Sequence, residues 1–522
     1  MPTKLPPSIF NDVVGPVMRG PSSSHSAASV RIGRIARDLC GGTPARVLVE
    51  FDTHGSLPTT HVSQGSDMGL FGGLLGWEAD DARIPESGAA LKQAGVDLEI
   101  RYVDLRDPHP NTYRLTITRD DVEHRLVALS TGGGMIEVIE IDGYAVSLFG
   151  DYDVTLLEVD GAAAAAAALS DACDDVQVVD GAPALVVASG QAFVDDATLD
   201  SVRGLRRTRR VGAVLPVRSR AGLTVPFLHA SEMLEGRDPK AGPLSDFALE
   251  FERARGGLDD EGVFARMRHI LQIVKQGVAG GLAGTEYADR ILPQQSHRFR
   301  EMMEQGQLLD GGMLNKAVLY VTALMETKSS MGVIVAAPTA GSCATFPATC
   351  LAAAESVQAD EARTLRAMLA AGLIGVFVTT RSSFAAEVGG CQAETGAGAA
   401  MAAAALVELG GGTAAQALSA ASHALQNVLG LICDPVANRV EAPCLGRNVA
   451  GASNAFVSAN MALAGYDHLV PLDEVLDAHR EVSERMAREL RCTALGGLSV
   501  TPTSKAIEAK LADAGGCGSC DS

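Results

Sequence analysis

At 522 residues the chain is too long for one ordinary domain, and 47% apolar residues are enough for sizeable cores. A formal net charge of −20 without a basic stripe argues against duplex nucleic acid and an anionic membrane surface as partners. Ten scattered cysteines fit a reducing compartment, where thiols are free groups, metal ligands or catalysts rather than a disulfide framework.

The start, MPTKLPPSIFNDVVGPVM, lacks an apolar signal core. The longest strongly apolar run, 367–378, falls short of the about 20 residues a bilayer requires. A cytoplasmic protein is expected.

Residues 1–150 read as a mixed α/β domain. SHSAASVRIGRIARDLC (24–40) spaces Val30, Ile32, Ile35 and Leu39 as a helix does, with Ser24 or Ser26 as its N-cap. Segments 46–52, 97–105, 113–118 and 136–150 are rich in β-branched or aromatic residues, which predicts strands. Residues 151–217 read as a smaller α/β unit. It has strands at 154–159, 176–180 and 184–189 and an alanine-rich helix at 162–173. The basic run RGLRRTRRVG (203–212) reads as a solvated face. From 218 to 522 helical patterns dominate, at 260–281, 297–307, 312–330, 357–378, 396–409, 414–430, 448–463 and 472–490. These predict one mainly α-helical domain.

Three stretches carry residues suited to chemistry. Cys391 lies in GGCQAETGAG, and Cys433 and Cys444 lie in LICDPVANRVEAPCLGRN, giving C-x41-C-x10-C. Zinc sites and ferredoxin-type clusters use shorter repeats. Isolated thiols at helix–loop junctions suit a cluster with three protein ligands and one open iron; they also suit buried structural thiols. In MRGPSSSHSA (18–27), Ser22, Ser23 and Ser24 place hydroxyls and N–H groups before a helix, an anion-holding arrangement. His25 adds a group that titrates near neutrality. The alternative there is an ordinary serine cap with a surface histidine. In AAPTAGSCATFPATC (336–350), Thr339, Gly341 and Ser342 either cradle a carboxylate or form a packing turn.

The serine-rich stretch, HPNT (109–112) and STGGGMIEV (130–138) resemble the β part of iron–sulfur-dependent L-serine dehydratases. APTAGS, GGCQAETGAGAAMAAAALVELGGGT, ICDPVANRVEAPCLGRN, GASNAFVSANMALAG and ALGGLSVTPT resemble the α part, in the order of single-chain members. The resemblance implies an α/β N-terminal domain (1–150), an ACT-like unit (151–217) and a helical catalytic domain (218–522). It implies a lyase acting on L-serine and a 4Fe–4S cluster on Cys391, Cys433 and Cys444, whose open iron is a Lewis acid toward the substrate hydroxyl. His25 and His61 become the proton-transfer candidates. Ser22, Ser23, Ser24, Asp67, Thr339, Gly341 and Ser342 become the substrate-binding candidates. A homodimer with a small amino acid as its partner is implied, and no pyridoxal phosphate. In some members a C-terminal cysteine folds back onto the open iron; Cys517 and Cys520, in the tail GGCGSCDS, are the candidates here.

The departures bear on substrate. Where members commonly show KGHGTD this chain has VSQGSD (62–67), so Gln64 replaces a histidine and cannot act as a base. His54 and His61 are the neighbouring imidazoles. Where many members read NNAS this chain has TRSS (380–383), and Arg381 offers a fixed charge for a second carboxylate unless it pairs with Glu387. Threonine, 3-hydroxyaspartate and cysteine are therefore alternative substrates. A regulatory protein without a cluster is the alternative from another class.

Overall fold

The computed structural model describes residues 6–515, except 239 and 241. The N-terminal region is built on a six-stranded sheet, in the order Asp97–Val103, Arg46–Asp52, Thr112–Arg119, Val122–Gly132, Met135–Ile141 and Tyr144–Leu148. Only the first pair is parallel. Two tight turns shape the sheet. Asp120 and Asp121 have φ of 50° and 62°, and Asp142 and Gly143 have 51° and 85°. Positive φ at both central residues matches the twist of the flanking strands. The second turn divides the 136–150 segment into two strands. The first leads into Val122–Gly132, whose charged opening VEHR hides it from apolar patterning.

The helix Ala28–Leu39 lays Ile32, Ile35 and Leu39 into the core beneath the sheet. Helix Ser66–Leu74 crosses it closely, because a Cβ on Gly33 would stand 2.5 Å from the Leu70 carbonyl oxygen. The expected serine caps are corrected. A π-helical turn, Ser23–Ala27, precedes the α-helix, so Ser24 and Ser26 lie inside the turn. The extended residue before it is Ser22, which makes no side-chain capping bond.

Strands Asp153–Val159, Asp175–Val179, Ala184–Gly190 and Leu205–Val211 form a second, antiparallel sheet with helices Ala162–Leu169 and Asp196–Ser201. The basic run is an edge strand that keeps Arg203, Arg206 and Arg210 in solvent and turns Arg209 inward. Its Arg209 is buried, donating to Asp142 and, at 2.6 Å, to Glu158. Arg207 donates to His124 Nε2 at 3.1 Å. Both arginines thus stitch this unit to the first sheet.

The C-terminal region is helical. All 13 residues of Ala397–Leu409 are buried. Helices Thr345–Ser356, Glu361–Arg381, Ala414–Gln426 and Cys444–Leu463 surround it, and its alanines allow close approach. Asp360 starts the second of these by accepting from the Arg363 N–H at 2.8 Å, three residues beyond the expected start. Among the described residues, Glu361–Arg381 is the one helix long and apolar enough to cross a membrane. Its apolar window is 78% buried by this protein.

The N-terminal segment belongs to this helical core. Ile9, Phe10, Val13, Val14 and Met18 lie in it, and Val17 pairs with Val335. Glu252 fixes the segment, accepting from Ser8 Oγ at 2.7 Å and from the Ile9 N–H at 2.8 Å. Burial pushes its carboxyl up to about 7. A folded-state value raised above the ordinary 4.5 gives stability that is complete below 4.5 and lost as pH rises through about 7. The urea midpoint is expected to fall across that window in the wild type, and Glu252→Gln is expected to flatten that part of the profile.

Candidate active site

Cys391 opens a π-helical turn, Gln392–Gly396, that runs into the buried helix Ala397–Leu409. Single π turns recur at functional sites because they re-aim side chains. Gly390, at φ 70°, allows the loop at Leu431 to come alongside, since a Cβ there would stand 2.8 Å from the Leu431 carbonyl oxygen. The Gln392 N–H then donates to that carbonyl at 3.0 Å. Gly430 N–H donates to Gln392 Oε1 at 2.8 Å. These bonds bring Cys433 to Cys391, and donor atoms of Cys391, Cys433 and Glu394 all lie within 4.8 Å of one another. Cys444 begins the helix Cys444–Leu463 and is not in that group, but the Cys391 charge acts on it.

The thiols are buried and face the Arg447 guanidinium. Arg447 donates through one nitrogen to Cys391 Sγ at 3.2 Å and Ile432 O at 2.8 Å, and through the other to Asp434 at 2.5 Å. Hydrogen bonding from Cys433, and then Arg447, holds the Cys391 thiol below its ordinary range against the opposing effect of burial. Cys433 is correspondingly raised by its bonds to Cys391 and Cys492. Burial raises Cys444. Lys328 is buried and donates to the Val440 carbonyl; burial lowers its pKa, with the charge of Cys444 opposing. Burial, then Cys391, pushes Glu394 up to about 8. Buried sulfur donors beside a guanidinium are a soft, partly charge-compensated set suited to a metal centre.

The serine loop reaches this centre from the N-terminal domain. Ser24 donates to Glu387 at 2.6 Å, and Glu387 lies four residues before Cys391. His25 is fully buried, with Nδ1 at 3.0 Å from Ser22 Oγ and 3.3 Å from Glu387 Oε1. Its Nε2 lies 2.8 Å from Thr60 Oγ1, whose own proton goes to the Ser56 carbonyl. The network thus assigns the proton to Nε2 and leaves Nδ1 as an acceptor. Burial lowers the His25 pKa, with Glu387 opposing. Ser23 Oγ accepts from the Ala340 N–H at 3.2 Å, joining the serine loop to the PTAGS loop. There Thr339 donates to Glu394 at 2.7 Å and meets Ser342 Oγ at 3.0 Å. A Cβ on Gly341 would stand 2.7 Å from Glu394 Oε1, so glycine is what admits that carboxylate.

Other expected residues are engaged with partners of their own. His61 is held at both nitrogens, by Asp67 at 2.7 Å and by Tyr102 at 2.6 Å, so Asp67 orients an imidazole. His54 is exposed beside Asp104. The Arg381 pairing expected with Glu387 is corrected. Arg381 ends its helix against Leu472–Arg485 and pairs with Asp477 at 2.7 Å and Asp473 at 3.6 Å, so its charge is already compensated. Cys517 and Cys520 lie outside the described residues. Sequence reasoning missed Cys492, which packs with Cys391 and Cys433, and also Arg447, Lys328 and Glu394. A cleft of about 720 Å³, lined by Thr131, Gly132, Ser382 and Phe384, holds none of the thiols.

Residues 160–499 match the family described as serine dehydratase alpha chain. The chain belongs to the serine dehydratase family. Its α-type portion is 37% identical over 285 residues to the "Probable L-serine dehydratase, alpha chain" of Bacillus subtilis, covering 55% of this chain and 95% of the relative. The "Probable L-serine dehydratase, beta chain" of that organism is 41% identical over 150 residues, covering 29% of this chain and 67% of the relative. The "L-serine dehydratase" of Streptomyces coelicolor is 29% identical over 497 residues, covering 92% of this chain and 96% of the relative. This serine dehydratase thus joins β-type and α-type sequence in one chain.

Two outcomes follow for this family member. Arg447→Met leaves Asp434 buried without its cation and is expected to cost about 3–5 kcal/mol in urea unfolding. Arg381→Asn breaks a partly exposed pair and is expected to cost at most about 1 kcal/mol. It should lower kcat/KM for serine and 3-hydroxyaspartate equally; a selective loss on the dicarboxylate would place Arg381 at the substrate.

Proposed function

We propose that this enzyme dehydrates L-serine to pyruvate and ammonia with a 4Fe–4S cluster held by Cys391, Cys433 and Cys444. The observation that carries the reading is the meeting of the His25–Glu387 pair with the thiols, through one short segment, 387–394. The donor set supports the cofactor: Cys391 and Cys433 converge with Glu394, Cys444 is buried at the start of its helix, and Arg447 donates to Cys391. Bound there, the cluster would supply a Lewis-acidic iron to the β-hydroxyl of the substrate.

The remaining chemistry belongs to side chains. The serine loop and Thr339, Gly341 and Ser342 present hydroxyl and N–H groups for the substrate carboxylate and ammonium. His25 Nδ1 is the acceptor nitrogen of the ring and takes the α-proton. Glu387, 3.3 Å from that nitrogen, stabilises the imidazolium that forms. Loss of the α-proton and of the β-hydroxyl as water leaves aminoacrylate, which tautomerises to the imine. Water then hydrolyses the imine to pyruvate and ammonia. The compensated charge on Arg381 removes the feature that favoured a dicarboxylate substrate. We read 151–217 as an ACT-like unit, supported by its strand–helix–strand–strand–helix–strand order and antiparallel sheet.

Anaerobic reconstitution followed by assay of pyruvate and ammonia tests the reading. About four irons per chain are expected. Cys391→Ser, Cys433→Ser and Cys444→Ser are each expected to lose both iron and turnover, and full iron in any of them removes that residue as a ligand. His25→Gln is expected to lower kcat by roughly 10²–10⁴ with iron retained. The same change at His61, which pairs with Asp67 and Tyr102 and not with Glu387, is expected to do far less.

A further inference from the structure

We propose that the cleft between the first sheet and the end of helix Glu361–Arg381 binds a small organic cation, with its ammonium group on Asp151 and its apolar body against Phe149 and Phe384. The cleft, of about 720 Å³, is within the size range of small-molecule sites. None of Ser24, His25, Glu387 or the thiols lines it, so it is distinct from the centre described above.

The acidic side chains of the cleft are not equally satisfied. Asp12 accepts the Ser8 N–H at 2.8 Å, and Glu137 accepts from Ser147 Oγ at 2.8 Å. Asp151 is 4% exposed, and its Oδ2 is buried with no hydrogen-bond partner. The Ser219 side chain bonds to this carboxylate, but one hydroxyl does not replace the water that the carboxylate loses. Burial accordingly raises the Asp151 carboxyl above its ordinary range, with Ser219 opposing. Arg255 also lines the cleft and does not supply the missing donor. Its head donates to the Pro6 carbonyl at 2.7 Å, the Arg218 carbonyl at 3.2 Å and Ser219 Oγ at 3.4 Å, so it reaches Asp151 only through a hydroxyl. The main chain holds Asp151 in place. The Gly150 carbonyl accepts the Val214 and Leu215 N–H groups at 2.7 and 3.0 Å, and the Asp151 carbonyl accepts the Ser219 N–H at 3.1 Å.

An ammonium group brings three donors and a positive charge to such an oxygen. Phe149, Phe384, Ile136 and Leu215 line the same space and suit the rest of an amine. Aromatic faces attract a cation as well as an apolar chain. A carboxylate on the ligand would share the cleft with Asp12 and Glu137, which disfavours anions and zwitterions. One wall leads to the catalytic centre. Ser382 and Phe384 line the cleft, and Glu387 follows three residues after Phe384. A Cβ on Gly132 would stand 3.1 Å from Ala385 Cβ, so the strand end and this loop are in close approach. An occupant thus lies against the segment that carries Glu387.

Isothermal titration of 2-phenylethylamine into the full-length protein under anaerobic conditions tests this. Saturable binding is expected. 2-Phenylethanol, which lacks the charge, and L-phenylalanine and 3-phenylpropionate, which carry a carboxylate, are each expected to bind roughly tenfold or more weakly. Asp151→Asn, with unchanged circular dichroism, is expected to weaken the amine by roughly tenfold or more. Thr379→Phe, which fills the cleft from the helix end, is expected to abolish binding. Saturating L-serine is expected not to compete. Bound amine is expected to shift the serine KM of the wild type by roughly fivefold and to leave that of Asp151→Asn unchanged. Failure of the amine to bind the wild type overturns the proposal, and so does equal affinity for L-phenylalanine or for Asp151→Asn. Displacement by L-serine overturns it by placing the amine in the catalytic centre. The titration reads binding without turnover, so failure of the dehydratase reading leaves this result standing.

Discussion

The Glu387 carboxylate is the interaction on which the site depends. It comes from the helical region and is almost fully buried, yet its partners, Ser24 and His25, come from the serine loop of the α/β region. Burying a carboxylate without partners is costly, so the two regions must dock in the one register that supplies them. That docking sets the serine loop against the PTAGS loop through Ser23 and Ala340. It also sets Gln64 against Cys492. Glu387 Oε2 is buried without a hydrogen-bond partner, which leaves acceptor capacity inside the site.

The electrostatics around the thiols follow a single logic. Several acidic groups converge where water is scarce, and the Arg447 guanidinium provides compensating charge, while burial works against charge on Lys328. Arg447 does more than balance charge. Its planar head links Cys391, the Ile432 carbonyl and Asp434, so the positions of two thiol-bearing loops are coupled through one side chain. Asp434 extends the coupling by accepting the Leu498 N–H at 2.8 Å, which ties the GGLS segment to the same loop.

Much of this was legible in the chain. Long helices declared themselves by period, as at Asp260–Ala283 and Ala397–Leu409, and strand Arg46–Asp52 by its β-branched pattern. Cys391 and Cys433 were singled out from loop context, and the structure brings them together. What escaped depends on distant contacts. Strand Leu205–Val211 reads as a charged surface because its arginines find buried acidic partners only after two sheets meet. The π turns have no compositional signature. Arg381 and Glu387 stand six positions apart, yet a chain reversal after the helix sends their side chains to different partners. Cys492 sits in a segment with no regular pattern, and its partner Gln64 is a residue of the other region.

The strand pairing of residue 17 with residue 335 gives the chain an unusual assembly order. The segment Ile9 to Met18 precedes the α/β region in the chain, yet it is a core element of the helical region that follows that one. It must stay unsatisfied until the helix Glu361–Arg381 exists to receive Ile9 and Val13 at Gly372 and Gly375. Non-local closure of this kind slows folding and prolongs exposure of apolar surface. Because both parts belong to one chain, the encounter is intramolecular and proceeds at a fixed effective concentration.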